Sequence, residues 1–158
     1  MIEVRPEQFE SSQHRALRDA IWEAMPSWSR FLVALDGRDG AGKSTLARYL
    51  AWQLGMPAVE LDMFRDQSAE SFTLRENELI RVLGTRLAAD RPVIVEGIFV
   101  LQALETIGLQ PSFLAFVLRE GHEGALLWSA EFTIYESQYR PQQNCQFTFH
   151  WKDRDATI

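Results

Sequence analysis

The spacing of apolar residues along the chain switches repeatedly between helical and strand-like. After Ser11-Ser12, the residues Leu17, Ala20, Ile21, Ala24 and Met25 recur three and four apart, which predicts an amphipathic helix ending near Pro26. Phe31-Leu32-Val33-Ala34-Leu35 is a continuous apolar run closed by Asp36-Gly37, the pattern of a buried strand. Leu46, Leu50 and Leu54 fall four apart and are followed by Gly55 and Pro57, a helix with its stop. Ala58-Val59-Glu60-Leu61 reads as a short strand ending in Asp62, with a polar connection from Arg65 to Glu70. Leu79, Ile80, Leu83 and Leu87 mark another helix, and Pro92-Val93-Ile94-Val95-Glu96-Gly97 a third strand with its breaker. Phe113 to Leu118 is a fourth strand, and Trp128, Phe132, Tyr135 and Tyr139 space out one face of a helix before Pro141. Phe147, Phe149 and Trp151 alternate with Thr148 and His150, which predicts a half-buried strand; Ala156-Thr157-Ile158 is an equal candidate for the last strand.

Strands that alternate with helices give an α/β fold: three layers, with a mostly parallel sheet of about five strands flanked by helices. A length of 158 residues fits one domain, here residues 1–158, with residues 1–29 as an N-terminal helical extension. Hydrophobic residues at 46% and charged residues at 24% are those of an ordinary globular protein, which excludes a disordered or fibrous chain. The net charge of −6 offers no footprint for nucleic acid or an anionic membrane, so neither is expected as a partner. Cys145 is the single cysteine, and His14, His122 and His150 lack zinc spacing, so disulfides and a cysteine–histidine metal site are not expected. The opening Met1-Ile2-Glu3-Val4-Arg5-Pro6 is unlike a signal peptide, and no apolar run reaches membrane-spanning length; a cytoplasmic protein is the expectation. Oligomeric state is not written in any of these patterns.

The candidate chemistry begins where the first strand ends. Gly37-Arg38-Asp39-Gly40-Ala41-Gly42-Lys43-Ser44 fits G-x-x-x-x-G-K-[ST], the P-loop, between a predicted strand and a predicted helix as that motif requires. Each position has its own duty. Glycines let successive N–H groups turn inward on phosphate oxygens, Lys43 brings a charge to the β- and γ-phosphates, and Ser44 offers a hydroxyl to magnesium. The helix that follows points its positive end at the same place. Residues 37–45, through Thr45, are therefore the expected nucleotide-binding segment of a P-loop NTPase fold, with ATP and Mg²⁺ as cofactors. Glu96, ending the third strand, is expected beside the metal together with Ser44. Asp62, ending the second, is placed to accept a proton from an acceptor hydroxyl. Asp36 is expected to shape the strand-to-loop turn, and Asp39 to face solvent.

Taken together, Asp36-Gly37 through Lys43-Ser44-Thr45, Leu61-Asp62-Met63-Phe64 and Val93 through Phe99 resemble the uridine kinase and phosphoribulokinase group of P-loop kinases. The resemblance implies that Asp62, in a D-x-F motif, is the catalytic base and that Glu96, in E-G-I, is the acid near magnesium. Residues 72–83 are similar to the helix between those motifs, and Tyr135, Tyr139, Pro141 and Asp155 to Ile158 to the closing segment. Two departures stand out. In place of an arginine-rich lid after the fourth strand, this chain has Arg119-Glu120-Gly121-His122-Glu123-Gly124, with no further arginine until Arg140. The insertion that grips the nucleoside is compressed to Arg65 through Thr73, which argues against uridine itself. Arg119 is the leading substitute for the lid, with Arg140 and Arg65 as alternatives.

The function these readings imply is an ATP- and magnesium-dependent transfer of a phosphoryl group to a hydroxyl of a small metabolite or nucleoside, with Asp62, Lys43 and Arg119 catalytic. Two alternatives stay open: a nucleotide-binding sensor with little transfer, favoured by the missing lid, and a nucleotide monophosphate kinase, which would need a cationic grip on its acceptor. Trp128, Phe147, Phe149 and Trp151 are either core or the walls of a ring-binding pocket.

Overall fold

A computed structural model describes residues 10–151. Five strands alternate with helices: α1 (Ser12–Ala24), β1 (Leu32–Asp36), α2 (Lys43–Leu54), β2 (Ala58–Glu60), α3 (Glu76–Ala88), β3 (Val93–Glu96), α4 (Val100–Thr106), β4 (Phe113–Arg119), α5 (Ser129–Tyr139), α6 (Pro141–Asn144) and β5 (Phe147–Trp151). The sheet order is β2-β3-β1-β4-β5, and every pairing is parallel. Register aligns Leu35 of β1 with Glu96 of β3, and Asp36 with Phe116 of β4. The carboxyl ends of β1 and β3 thus finish side by side, the edge at which open α/β sheets gather their ligands.

Strand side chains alternate between two cores, as a sheet covered on both faces requires. Val33, Leu35, Ile94, Ala115 and Val117 face Leu46, Leu50 and Leu54 of α2 together with Leu17 and Ile21 of α1. Leu32, Ala34, Val93, Val95 and Leu114 face Leu79, Leu83 and Leu87 of α3 and Val100 and Leu104 of α4. Ile80, which shares the helical spacing of α3, points outward at 43% exposure. A third cluster, Ile98, Phe99, Trp128, Phe132 and Tyr135, fixes α5 over the carboxyl end of β3.

The N-terminal helix is built into this core. Its buried His14 sits edge-on to the rings of Tyr49, Phe149 and Trp151. Gln13 exchanges two hydrogen bonds with the backbone of His150, at 2.8 and 2.9 Å, and so covers part of the edge that β5 would otherwise expose. Among the described residues no helix is long and apolar enough to cross a membrane.

Two expectations need adjusting and one choice between two is decided. The second strand stops at Glu60, and Leu61–Phe64 form a 3₁₀ turn, so Asp62 lies on a turn and not at a strand end. Trp128 precedes α5, in a 3₁₀ turn over Leu126–Trp128. The alternating segment 147–151 is a strand, whereas Asp155 and Ala156-Thr157-Ile158 lie outside the described residues.

Candidate functional site

Between β1 and α2 the loop takes the shape that its glycines were expected to permit. Gly37, Gly40 and Gly42 have φ of +148°, +73° and +90°, values that side chains strain to adopt. At Gly37 and Gly42 space forbids a side chain as well. A Cβ on Gly37 would come 2.4 Å from the Val117 carbonyl oxygen, and one on Gly42 2.2 Å from the Trp151 indole nitrogen. That indole N–H donates to the Gly42 carbonyl at 3.2 Å, so Trp151 braces the loop from outside.

Lys43 opens α2 and is buried. Its Nζ donates to the Arg38 carbonyl at 2.7 Å, across the loop. Burial lowers its pKa, opposed by the carboxylates of Glu96, Asp36, Asp62 and Asp39. Ser44 donates to Glu96 Oε1 at 2.8 Å, which brings hydroxyl and carboxylate to one point; Thr45 is exposed on the next position of the helix. Glu96 is buried, and burial raises its pKa against the opposing pull of Ser44 and Lys43. Asp62 is solvent-exposed, yet close enough to act electrostatically on both Lys43 and Glu96. The segments that the sequence singled out separately therefore meet at one edge of the sheet.

Asp36 does more than shape a turn. One carboxylate oxygen accepts the Gly37 N–H at 2.7 Å and the other accepts the Tyr135 hydroxyl at 2.5 Å. The same hydroxyl accepts the Leu101 N–H at 3.1 Å, so α4, α5 and the P-loop share one buried network. Desolvation lifts the Asp36 pKa to about 6 in spite of these donors and Lys43. The sequence did carry a sign of this: a tyrosine on the buried face of a helix needs a partner for its hydroxyl.

The expectation that Asp39 faces solvent fails. Its Oδ1 accepts the Ala125 N–H at 2.7 Å. Arg38 reaches Glu136 of α5 through Nε and a second nitrogen, at 2.8 and 2.9 Å, and donates to the Glu123 carbonyl at 2.8 Å. The short β4–α5 connection is thus fastened to the P-loop. Arg119 ends β4 and, with Arg38, Ala41 and His122, lines a cavity of about 270 Å³ on the outer side of the loop. Arg140 joins α5 to α6 with φ +47°, and Arg65 stacks on Phe72 and Trp128. Trp128 and Phe149 are core residues and Trp151 braces the loop, so the four aromatics do not form one ring-binding pocket.

With this geometry in place, comparison with known proteins adds the following. No protein-family model matches the chain, and no curated protein matches it. Solved structures do. The chain is similar to a possible uridine kinase from Bacillus stearothermophilus, with a TM-score of 0.61 at 13% identity over 87% of this chain and 97% of that one. It is also similar to the kinase domain of Escherichia coli tyrosine kinase ETK, with a TM-score of 0.59 at 13% identity over 99% of this chain and 87% of that one. The chain has the P-loop NTPase fold. At such identities the likeness establishes the fold alone, and a fold does not fix the acceptor.

Proposed function

We propose that residues 1–158 form one kinase-like domain that transfers the γ-phosphoryl group of ATP to a hydroxyl of a small metabolite or nucleoside. The observation that carries this is the convergence of Lys43, Ser44, Glu96 and Asp62 at the carboxyl ends of β1, β2 and β3. On this reading the P-loop N–H groups and the Lys43 ammonium hold the triphosphate. Burial supports that role: an ammonium with a carbonyl as its hydrogen-bond partner gains when an anion arrives.

Ser44 and Glu96 offer two hard oxygen donors at one point, which fits magnesium, and they would hold it with the donor phosphates. Magnesium bound there supplies neutralisation of phosphate charge. In the transfer, the acceptor oxygen forms a bond to Pγ as the bond from Pγ to the bridging β,γ-oxygen breaks, leaving ADP. The acceptor proton passes to the solvent-exposed Asp62 carboxylate. Arg119 belongs to the donor side, on the outer cavity of the loop.

A sensing module is the second reading, favoured by the β4–α5 connection, where Gly121 to Gly124 carry no arginine and are tied to the P-loop. ADP release from magnesium-ATP, with and without candidate alcohols, separates the two. Transfer requires acceptor-dependent release. Lys43→Ala should weaken triphosphate binding far more than adenosine binding. Asp62→Asn should keep ATP binding while transfer falls about 10²- to 10⁴-fold, the usual worth of a positioned base. ATP binding with no acceptor-dependent turnover across a broad panel of alcohols would favour the sensor.

A further inference from the structure

A cavity of about 570 Å³ opens between α3, α4 and α5, with walls of mixed origin that share one property. Phe72, Phe99, Trp128 and Tyr135 give it aromatic sides. Three of these walls connect to a site residue. Phe99 is the third residue after Glu96, and Tyr135 hydrogen-bonds Asp36 at the head of the P-loop. Phe72 lies on the arm that runs on from the Asp62 turn and is closed by the Arg65–Leu74 bridge. Through these links the cavity is connected to the elements that carry Asp62, Glu96 and the P-loop.

Its polar lining is one-sided. Glu70, Glu76 and Glu131 contribute carboxylates and Gln102 and Gln138 amides, whereas among the described residues no lysine, arginine or histidine lines it. One guanidinium, that of Arg65, stacks against Phe72 and Trp128 at 5.8 and 5.2 Å from their ring centres without forming part of the wall. Aromatic faces and carboxylates both favour a cation, and a carboxylate or phosphate brought here would meet like charge without a cationic grip in the wall.

We propose that this cavity is the acceptor subsite and that it selects an alcohol with a flat or cyclic apolar body bearing a cationic amino group. The assignment rests on the phosphotransferase reading above and adds the charge class of the acceptor. Phosphorylated and carboxylated acceptors are rejected by it. A nucleotide monophosphate is thereby excluded on electrostatic grounds, independently of the short lid.

Three probes with one aryl-ethyl frame and different charge test this: tyramine as cation, tyrosol as neutral alcohol and 4-hydroxyphenylacetate as anion. Binding to the full chain is followed by ligand-observed NMR, with magnesium-ATP affinity measured separately. Tyramine should bind most tightly and the anion least, with about a tenfold span. Glu131→Gln, a surface change, should weaken tyramine about two- to fivefold, in line with an exposed ion pair, and leave tyrosol unchanged. Ala103→Trp should fill the cavity and abolish binding of all three while sparing ATP. Preference for the anion, equal binding of the three, or binding of none up to the solubility limit overturns the proposal. Loss of ATP binding by the natural chain would overturn the kinase reading instead, so the two failures are distinguishable.

Discussion

Asp36 keeps a carboxyl group where water does not reach, at 1% exposure, with a backbone N–H and a tyrosine hydroxyl as its donors. Its pKa rises from 3.8 to about 6, with burial as the main cause. Below pH 3.8 the group is protonated in both folded and unfolded chains, and its stabilising contribution is fully present. Between 3.8 and about 6 the folded chain keeps a proton that the unfolded chain has lost, so stability falls as pH rises. Above that window both states are ionised and the contribution is gone. The displacement corresponds to about 3 kcal/mol. Urea unfolding of the natural chain and of Asp36→Asn, from about pH 4 to about pH 7, should show their stability difference falling by an amount of that order. A difference that stays flat would refute the buried-acid account. The Glu96 shift also favours acid, but it is common to both proteins and cancels. The P-loop conformation was legible because its glycines form a local pattern, whereas the hydroxyl that Asp36 uses lies 99 residues away. Asp39 was misjudged for the same reason: its partner is on the β4–α5 connection, out of reach of any local pattern.

The five strands and the longer helices were legible from apolar spacing, while the 3₁₀ turns and the short helices α4 and α6 were not. The turn that carries Asp62 spans four residues, too few for a period to register. Its position is set by a close approach to β3. A Cβ placed on Gly97 would lie 2.7 Å from Leu61 Cβ, and Leu61 is fully buried. Gly97→Ala must therefore push the turn, and Asp62 with it, away from Glu96. Overpacking of this kind costs about 1–3 kcal/mol, and a misplacement of about 1 Å in a reacting group can cost about 10²-fold in rate. The expected result is a folded variant with near-normal ATP affinity and transfer reduced between about ten- and a hundredfold. Unchanged turnover, alongside a measurable loss of stability, would show that the turn does not position the base.

At the scale of the molecule, a parallel sheet with helices on both faces followed from the alternation of strands and helices, but the order β2-β3-β1-β4-β5 did not, because pairing depends on which edges meet in space. The same is true of the lid. Sequence showed that arginines are missing after β4; the fold shows what stands in their place. Arg38 and Asp39 reach across 85 and 86 residues to hold Glu123 and Ala125, and Gly124, with φ +85°, lets the connection pass close to the Asp39 carboxylate. On the proposed reading, a nucleotide site fastened in this way is ordered before its ligand arrives, which spares part of the entropy of binding. Asp39→Ala removes one such tie without touching the glycines, Lys43 or Ser44. Hydrogen exchange at residues 121–126 should then accelerate, and magnesium-ATP should bind about three- to tenfold more weakly, in keeping with the loss of a charge-assisted hydrogen bond partly open to solvent. Arg38→Lys should give a smaller change in the same direction, since an ammonium cannot make the forked contact with Glu136. Unaltered exchange in the connection would show that it is held by the packing of α5 alone. Faster exchange with unaltered ATP affinity would show that the fastening is structural and has no part in nucleotide binding.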